Sequence, residues 1–395
     1  MKINSFLFST LLLLWAGTGV HGQGNLPTLM RSVEQNNPVL KAQQAYRQAR
    51  QLEVRTGLNP PDPLVEYDRL PGRPDGAGVQ QEFSITQQLD FPTVYRKRKE
   101  LARQQMAQAG QQIQIARQQI LLDVQKTYVE LVYTTKKVTQ LQRRLADSRQ
   151  LVAGVTEKLR VSDATALELN KARIQNLRVE KELRLALSQQ RQEYLTLVEL
   201  NGGAAVALAD TAYPLLPTLL PFPLLDSLHE ETDPTLAFLR QEVLVDQAQL
   251  DLSRALTLPR LQVGYHYQSI LGQRYQGLHM GITLPLWEHR HTVDFRKAAI
   301  EASRARLAAD RNQHYATLAR LYEQYQGRLE SLEEYRQTLV GLNSTELLET
   351  SLRLGQITTL EFILETTYLY DAQDTYLDLE RDTYLAAFEL LRYQL

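Results

Sequence analysis

The sequence predicts a mainly α fold in which one unit, a helix followed by a β-hairpin and a pair of long helices, is written twice. Three observations carry this expectation. A proline-free run from Thr93 to about Val161 holds Val124, Leu131, Val138, Leu145, Val152 and Leu159 at constant spacing. The interval is seven residues, and a strict heptad of apolar residues is a coiled-coil seam. Short matches also recur at a nearly constant offset. Leu29 to Asn37-Pro38 corresponds to Leu225 to Asp233-Pro234, Pro63 to Pro259, and Thr86–Leu89 to Thr283–Leu286. Further on, Leu159, Thr165, Leu167 and Glu168 correspond to Leu352, Thr358, Leu360 and Glu361. Matches in this order, about 195 residues apart, make the chain two copies of one plan. Finally, two stretches alternate apolar and polar residues around glycine-containing loops, Gly72 to Gly78 and Gly272 to Gly277, the pattern of β-hairpins with one apolar face.

Each element follows in order. Lys2, the apolar run Phe6–Trp15 and the small residues leading to Val20-His21-Gly22 read as a cleaved secretory signal over residues 1–22. An uncleaved anchor is the rival, but the apolar run is short and glycine-interrupted for a membrane span. The first repeat, residues 23–201, holds a short helix, a hairpin at about 63–90, the long helix Thr93–Val161 and a second helical stretch Thr165–Leu200. At 1.5 Å per residue the long helix is roughly 100 Å, far longer than a compact domain is wide. Residues 202–223, with Pro214, Pro217, Pro221 and Pro223, cannot form a regular helix and are expected to be an extended linker. The second repeat, residues 224–395, brings another short helix, a hairpin at about 260–286, a helical run Asp294–Leu354 and a last helix Thr358–Leu391. Leu318, Tyr325, Leu332 and Leu339 continue the heptad spacing in that run. Within each half the two long helices meet at a turn, near Ser162 in the first and Gly355 in the second.

Composition narrows the function. The chain has 395 residues, 44 Lys+Arg against 45 Asp+Glu, and no cysteine. Balanced charge excludes binding to nucleic acid through net positive charge. The missing thiol excludes disulfides, thiolate metal sites, a thiol nucleophile and an acylated N-terminal cysteine. There is no G-x-S-x-G, H-E-x-x-H, P-loop or dinucleotide fingerprint, so no enzyme chemistry and no cofactor is expected. The mean hydropathy of −0.34 argues against a polytopic helical membrane protein.

The hairpins are more informative. Val65 and Tyr67 alternate with Glu66 and Asp68, and Phe83 and Ile85 with Glu82, Ser84 and Thr86. In the second half Leu261, Val263, Tyr265 and Tyr267 oppose Gln262, Gly264, His266 and Gln268, while Met280, Ile282, Leu284 and Leu286 oppose His279, Gly281 and Thr283. A sheet packed on its own protein's core has this alternation, and so has a membrane β-sheet with lipid on one side and water on the other. On the membrane alternative the sheet must close, because unpaired backbone groups cannot face lipid. Four strands cannot close where membrane barrels need at least about 8, so several copies must pool them.

The layout resembles the TolC-like outer-membrane efflux protein family over essentially the whole mature length. The residues that carry the resemblance are Asn37-Pro-Val-Leu40 and Asp233-Pro-Thr-Leu236, each ahead of a strand. Gln87-Gln-Leu-Asp-Phe-Pro92 and Ile282-Thr-Leu-Pro-Leu-Trp287 lead from strand into helix, and Leu354-Gly355-Gln-Ile-Thr-Thr-Leu-Glu361 precedes the last helix. The resemblance implies a homotrimer with a 12-stranded β-barrel in the outer membrane of a Gram-negative bacterium, continuous with a 12-helix periplasmic α-barrel. It implies a passive exit duct joined through a periplasmic adaptor to an inner-membrane pump of the RND type; having no cysteine, the chain is expected not to be N-terminally lipidated. The run from Asn36 to Phe91 is most similar to the heavy-metal branch; drug or toxin efflux and type I secretion are the alternatives, and a secreted coiled-coil scaffold is the alternative of another class.

Site residues follow from the same resemblance. Glu168 and Glu361, just after the turns, match the acidic residues that close family channels at the periplasmic tip, and Gly355 matches the glycine of the turn. A ring of carboxylates attracts cations and raises neighbouring pKa values; equally, a glutamate in a helix's first turn simply complements the macrodipole. Leu352 and Ile357 stand where some members carry a Tyr and an Arg that lock the gate, and Ser162 replaces glycine in the first turn. Glu66, Asp68, Glu82 and His266 would face the barrel lumen, or an ordinary solvated sheet face. Val65, Tyr67, Phe83, Ile85, Leu261, Val263, Tyr265, Tyr267, Met280, Ile282 and Leu284 would face lipid. Arg96-Lys-Arg-Lys99 is expected on a solvated helix face. His289 and His291, two residues apart, have poor spacing for a metal site on a helix, so no metal is expected.

Overall fold

The computed structural model describes residues 26–74, 76–207, 212–215, 218–340 and 344–395. The expected signal segment 1–22 lies outside them, as do parts of the expected linker. In chain order the elements are α1 (Leu26–Asn36), α2 (Pro38–Thr56), β1 (Leu64–Pro71), β2 (Val79–Leu89), α3 (Pro92–Arg160), α4 (Ala166–Leu200), α5 (Phe222–Thr232), α6 (Pro234–Ala255), β3 (Arg260–Ile270), β4 (Gln273–Thr283), α7 (Thr292–Val340), α8 (Ser344–Arg353) and α9 (Thr359–Leu390).

The single short helix expected at the head of each half is two helices, for a reason visible in the sequence. Pro38 and Pro234 cannot donate a backbone hydrogen bond, and the residue before a proline is driven out of helical geometry. Asn37 and Asp233 use that geometry to cap the next helix. Asn37 Oδ1 accepts from the N–H groups of Val39 and Leu40 at 2.9 and 3.1 Å, and Asp233 Oδ1 from Thr235 and Leu236 at 2.7 and 3.0 Å. An N-cap of this kind contributes about 1 kcal/mol. The second half starts earlier than expected, because α5 begins at Phe222, with Pro223 in its first turn.

The heptad seam packs in stages along α3. Val124, Tyr128, Val129, Leu131 and Val132 meet Leu26, Leu29, Val33 and Leu40 from α1 and α2, together with Leu197 and Phe388. Below that, Val138, Leu141 and Leu145 close on Val179 and Ala186 of α4. Toward the turn, Val152 and Leu159 are half-buried beside Val155, Leu169 and Ala172. In the second half Leu318 and Tyr325 are buried with Leu225, Ala386, Ala387 and Leu390, but Leu332 and Leu339 are only half-buried.

The strands form one antiparallel sheet in the order β1-β2-β3-β4, so the two hairpins join through β2 and β3. Two expectations need correction. The second hairpin's loop is not Gly272–Gly277 but the pair Leu271-Gly272, with φ of 49° and 84°, and Gly277 lies within β4. Two-residue hairpins favour positive φ at both central positions because that twist matches the strands, and Gly272 adopts it freely. Leu284 and Leu286 lie beyond β4, which ends at Thr283, so Leu284 continues the strand's line without belonging to it.

Candidate functional site: an open sheet and two helix tips

Residues directly opposite in an antiparallel sheet share a face. The register therefore assembles the expected apolar residues into rows. Val65, Ile85, Tyr265 and Leu278 form one row, and Tyr67, Phe83, Tyr267 and Gln276 the next toward the hairpin loops. In the other direction come Gln87, Val263 and Met280, then Leu89, Leu261 and Ile282. Beyond the tyrosine row the same face turns polar, with Arg69, Gln81, Ser269 and Arg274. Leu278, 82% exposed, belongs to this face and escaped the sequence reading because its neighbours Gly277 and His279 obscure the alternation. Val65, Tyr67, Met280 and Ile282 are exposed as well, so no core formed by the described residues covers the face.

The opposite face is polar. The Ser84 hydroxyl donates to Glu66 at 3.3 Å, and His266 lies 3.5 Å from Glu82, which in turn stands opposite Asp68. Among the described residues, the backbone edges of β1 and β4 have no partner strand.

At the base of the sheet the basic run is not simply solvated. Arg98 pairs with Asp90 at 2.6 Å and Lys97 with Asp251 at 2.6 Å, while Arg96 and Lys99 are exposed. Arg260 reaches both Asp90 at 3.7 Å and Glu288 at 3.0 Å, tying the two strand-to-helix crossings together. His289 and His291 sit in the turn before α7, with the Glu288 carboxylate 4.0 Å from His289. Among the described residues no group of His, Cys, Asp and Glu suits a metal ion.

The two helix tips, at the far end of the long helices, are built alike. Thr165 and Thr358 are N-caps in extended geometry, and Glu168 and Glu361 stand at the third helical position. Glu168 Oε2 accepts from the Thr165 N–H at 2.7 Å and its hydroxyl at 2.8 Å, and the Glu168 N–H donates to Thr165 Oγ1 at 3.2 Å. The corresponding distances at Thr358 and Glu361 are 2.7, 2.9 and 3.2 Å. Each is a reciprocal capping box. Within the single chain these hydrogen bonds, the backbone one first, hold both carboxyls below the ordinary glutamate range.

The preceding turns also correspond. The Ser162 and Asp163 N–H groups donate to Leu159 and Lys158 carbonyls at 3.1 and 2.8 Å, and those of Gly355 and Gln356 to Leu352 and Ser351 at 3.2 and 2.8 Å. This is a Schellman ending, which puts its turn residue in the left-handed region. Gly355 has φ of 72° and Ser162 of 62°. Leu352 and Ile357 are half-buried and apolar, so they supply no polar latch.

Comparison with known proteins agrees with this geometry. Residues 226–393 match the family model described as outer membrane efflux protein. No curated protein is significantly similar in sequence. A membrane protein from Pseudomonas aeruginosa superposes with a TM-score of 0.80 at 16% identity, covering 93% of this chain and 93% of that one. CusC gives 0.78 at 15%, covering 93% and 91%. VceC, an outer membrane protein of Vibrio cholerae, gives 0.76 at 15%, covering 93% and 96%. The outer membrane efflux protein signature thus lies in the second half of the chain, and the fold of these solved structures runs along 93% of it.

Proposed function

We propose that the chain is one protomer of a homotrimeric exit duct, in which three copies pool their sheets into a 12-stranded barrel through the outer membrane and their long helices into a 12-helix periplasmic tunnel. The observation that carries this reading is the bare apolar face on a sheet with two open edges. An apolar patch of this extent is not left in water by a monomeric protein, and open edges are not left in lipid. Dimensions support it: from Phe91, just past β2, to the polar position Gln81 is about ten residues, roughly 34 Å along a strand and about 24 Å of height at a 45° tilt. The apolar band of membrane barrels is about 25 Å tall.

In this assembly Glu66, Asp68, Glu82 and His266 face the lumen, and three copies each of Glu168 and Glu361 ring the periplasmic tip. Cargo comes from an inner-membrane pump, of the RND type, through a periplasmic adaptor. Heavy-metal cations are the proposed cargo, supported by the resemblance of the Asn36–Phe91 run; drug efflux is the competing cargo.

Planar-bilayer recording tests the duct. Trimer extracted from outer membranes should conduct, and conductance should change in the Glu168→Gln/Glu361→Gln variant with the trimer intact. A trimer that conducts nothing, even with the tip carboxylates replaced, would overturn the duct in favour of a scaffold. For cargo, a strain lacking the chain should lose tolerance to divalent transition-metal ions; sensitivity to hydrophobic drugs alone would overturn the metal assignment.

A further inference from the structure

Two histidines from different helices meet where α5 packs on α7 and the end of α9. His229, in the last turn of α5, is 1% exposed, and His314 comes from near the middle of α7. Their ring centres lie 5.7 Å apart, with the planes inclined by 48°. His229 Nε2 is 2.7 Å from the Leu390 carbonyl oxygen. A carbonyl oxygen only accepts, so Nε2 carries the ring proton and Nδ1 keeps a lone pair. His314 Nδ1 faces Asp233 Oδ2 at 3.9 Å, and Arg392 meets the same oxygen at 3.2 Å. The carboxylate draws the His314 proton to Nδ1 and leaves the lone pair on Nε2.

Both free nitrogens, His229 Nδ1 and His314 Nε2, are buried without a hydrogen-bond partner among the described residues. One such orphan calls for an explanation, and here two stand in neighbouring rings. Metal-binding histidines are arranged in this way. Each gives its ring N–H to a backbone carbonyl or a carboxylate, which fixes tautomer and orientation, and presents the other nitrogen to the ion. Leu390 and Asp233 supply one partner of each kind, and the Tyr393 ring packs edge-on to His229 at 5.2 Å. The spacing fits as well. An ion about 2 Å from a ring nitrogen is about 3 Å from the ring centre, so two imidazoles sharing one ion in line lie about 6 Å apart.

Among the described residues no three or more of His, Cys, Asp and Glu gather to hold an ion. Zinc, calcium and magnesium, which take four or more ligands, therefore find too few. Closed-shell Cu(I) and Ag(I) take two nitrogens in line, and imidazole suits copper. Charge decides in the same direction, because the desolvation penalty of an ion rises with the square of its charge. We propose that His229 Nδ1 and His314 Nε2 form a two-coordinate site for a monovalent Cu(I) or Ag(I) ion, with Leu390 and Asp233 orienting the two rings. A bound ion ties α5 to α7 within one chain, so the site does not depend on the trimer proposed above.

Silver ion alone is the probe, because it is redox-inert, and the full chain is used as extracted in detergent. X-ray absorption of protein loaded with one Ag(I) per chain should show two nitrogen neighbours at about 2.1 Å with the outer-shell pattern of imidazole. Oxygen neighbours, three or more ligands, or no tight uptake of Ag(I) would overturn the site. In equilibrium dialysis His314→Gln should weaken the tightest Ag(I) more than about 100-fold, beyond what the loss of an orienting partner costs. The His289→Gln/His291→Gln chain should bind it unchanged. Tight binding that survives His314→Gln, or that disappears with the His289 and His291 pair, overturns the assignment. Asp233→Asn keeps a side chain able to cap α6 and should weaken Ag(I) about 10–100-fold while the helical circular dichroism is unchanged. That variant carries the test where His314→Gln does not fold, and an unchanged affinity in it overturns the proposed site.

Discussion

The long helices α3 and α7 occupy the same place in a repeated plan and are held in opposite ways. Nineteen residues of α3 are buried, from Val94 to Val155, against four of α7: Ile300, Ser303, Leu318 and Tyr325. Helix α3 is the spine of the single chain, packed on α1, α2, α4, α6 and α9. Helix α7 leaves most of its length in water, including half-exposed seam positions such as Leu332. The difference teaches that one half of the duplication is satisfied internally, while the other keeps a coiled-coil seam open for neighbouring copies in the proposed trimer.

The sharpest way to break this comparison is to remove a buried cation from α3. Arg144 lies with both terminal nitrogens 2.9 Å from Asp374, one of them also donating to the Tyr370 carbonyl at 3.2 Å, and its guanidinium sits 4.3 Å from the Tyr370 ring centre. Burial with a carboxylate nearby pushes the Tyr370 hydroxyl up to about 12. Arg144→Ala should cost about 3 kcal/mol in denaturant unfolding, toward the low end for a buried pair because Asp374 remains partly solvated. Arg336, paired with Glu333 in open water on α7, should leave the midpoint unchanged when replaced by Ala. Equal effects at the two sites would end the contrast between the helices.

The second test compares seams. Leu141 is 1% exposed between α3 and α4, so Leu141→Ala should cost about 2–5 kcal/mol. Leu332→Ala should cost less than about 1 kcal/mol in the detergent-separated monomer, since its position is only half-buried. In the assembled trimer the Leu332 cost should rise, read as a lower dissociation temperature. A cost that stays the same in both states would mean that no neighbour covers this part of α7.

Smaller effects separate the two tips. Gly355→Ala places a Cβ at φ of 72° and should destabilise by about 1–2 kcal/mol. Ser162→Gly removes that strain from the first tip and should stabilise by about 0.5–1 kcal/mol, read from the same unfolding curves. Opposite signs at corresponding positions would confirm that the tips share a backbone but not a residue choice.

These contrasts were unevenly legible in the sequence. The α3 helix, its seam and the first-turn places of Glu168 and Glu361 could be read because periodicity and helix starts are local signals, whereas the Thr165 and Thr358 capping boxes went unread although the Thr-x-x-Glu spacing marks them. The paired faces of the sheet could be read from alternation, but which strands would meet could not, since the β2–β3 pairing joins residues such as Phe83 and Tyr267 that lie far apart in the chain. Arg144 gave no sign of burial, because its partners Asp374 and Tyr370 come from α9. The ties of Asp90 to Arg98 and Arg260 turn a basic run that looked solvated into a junction, and that too depends on tertiary approach.

The finest distinction lies in the titration of Glu168 and Glu361. Hydrogen bonds from the Thr165 and Thr358 N–H groups hold both carboxyls below the ordinary range in the single chain. A depressed folded pKa means that the unfolded chain binds more protons, so the contribution is complete above the ordinary glutamate pKa and is lost as pH falls through the lower folded value. Three carboxylates brought together at a constriction act in the opposite direction, because each disfavours the ionised form of the others. Carboxyl NMR of the detergent-separated monomer should therefore show both glutamates titrating below the ordinary range, and the trimer should show them shifted upward. The Thr165→Ala and Thr358→Ala variants, which lose the cap hydroxyl but keep the backbone donor, should raise the monomer values and leave the trimer-minus-monomer difference in place. An identical titration in monomer and trimer would leave the two glutamates as helix caps alone, and the tips would then close the tunnel by packing rather than by charge.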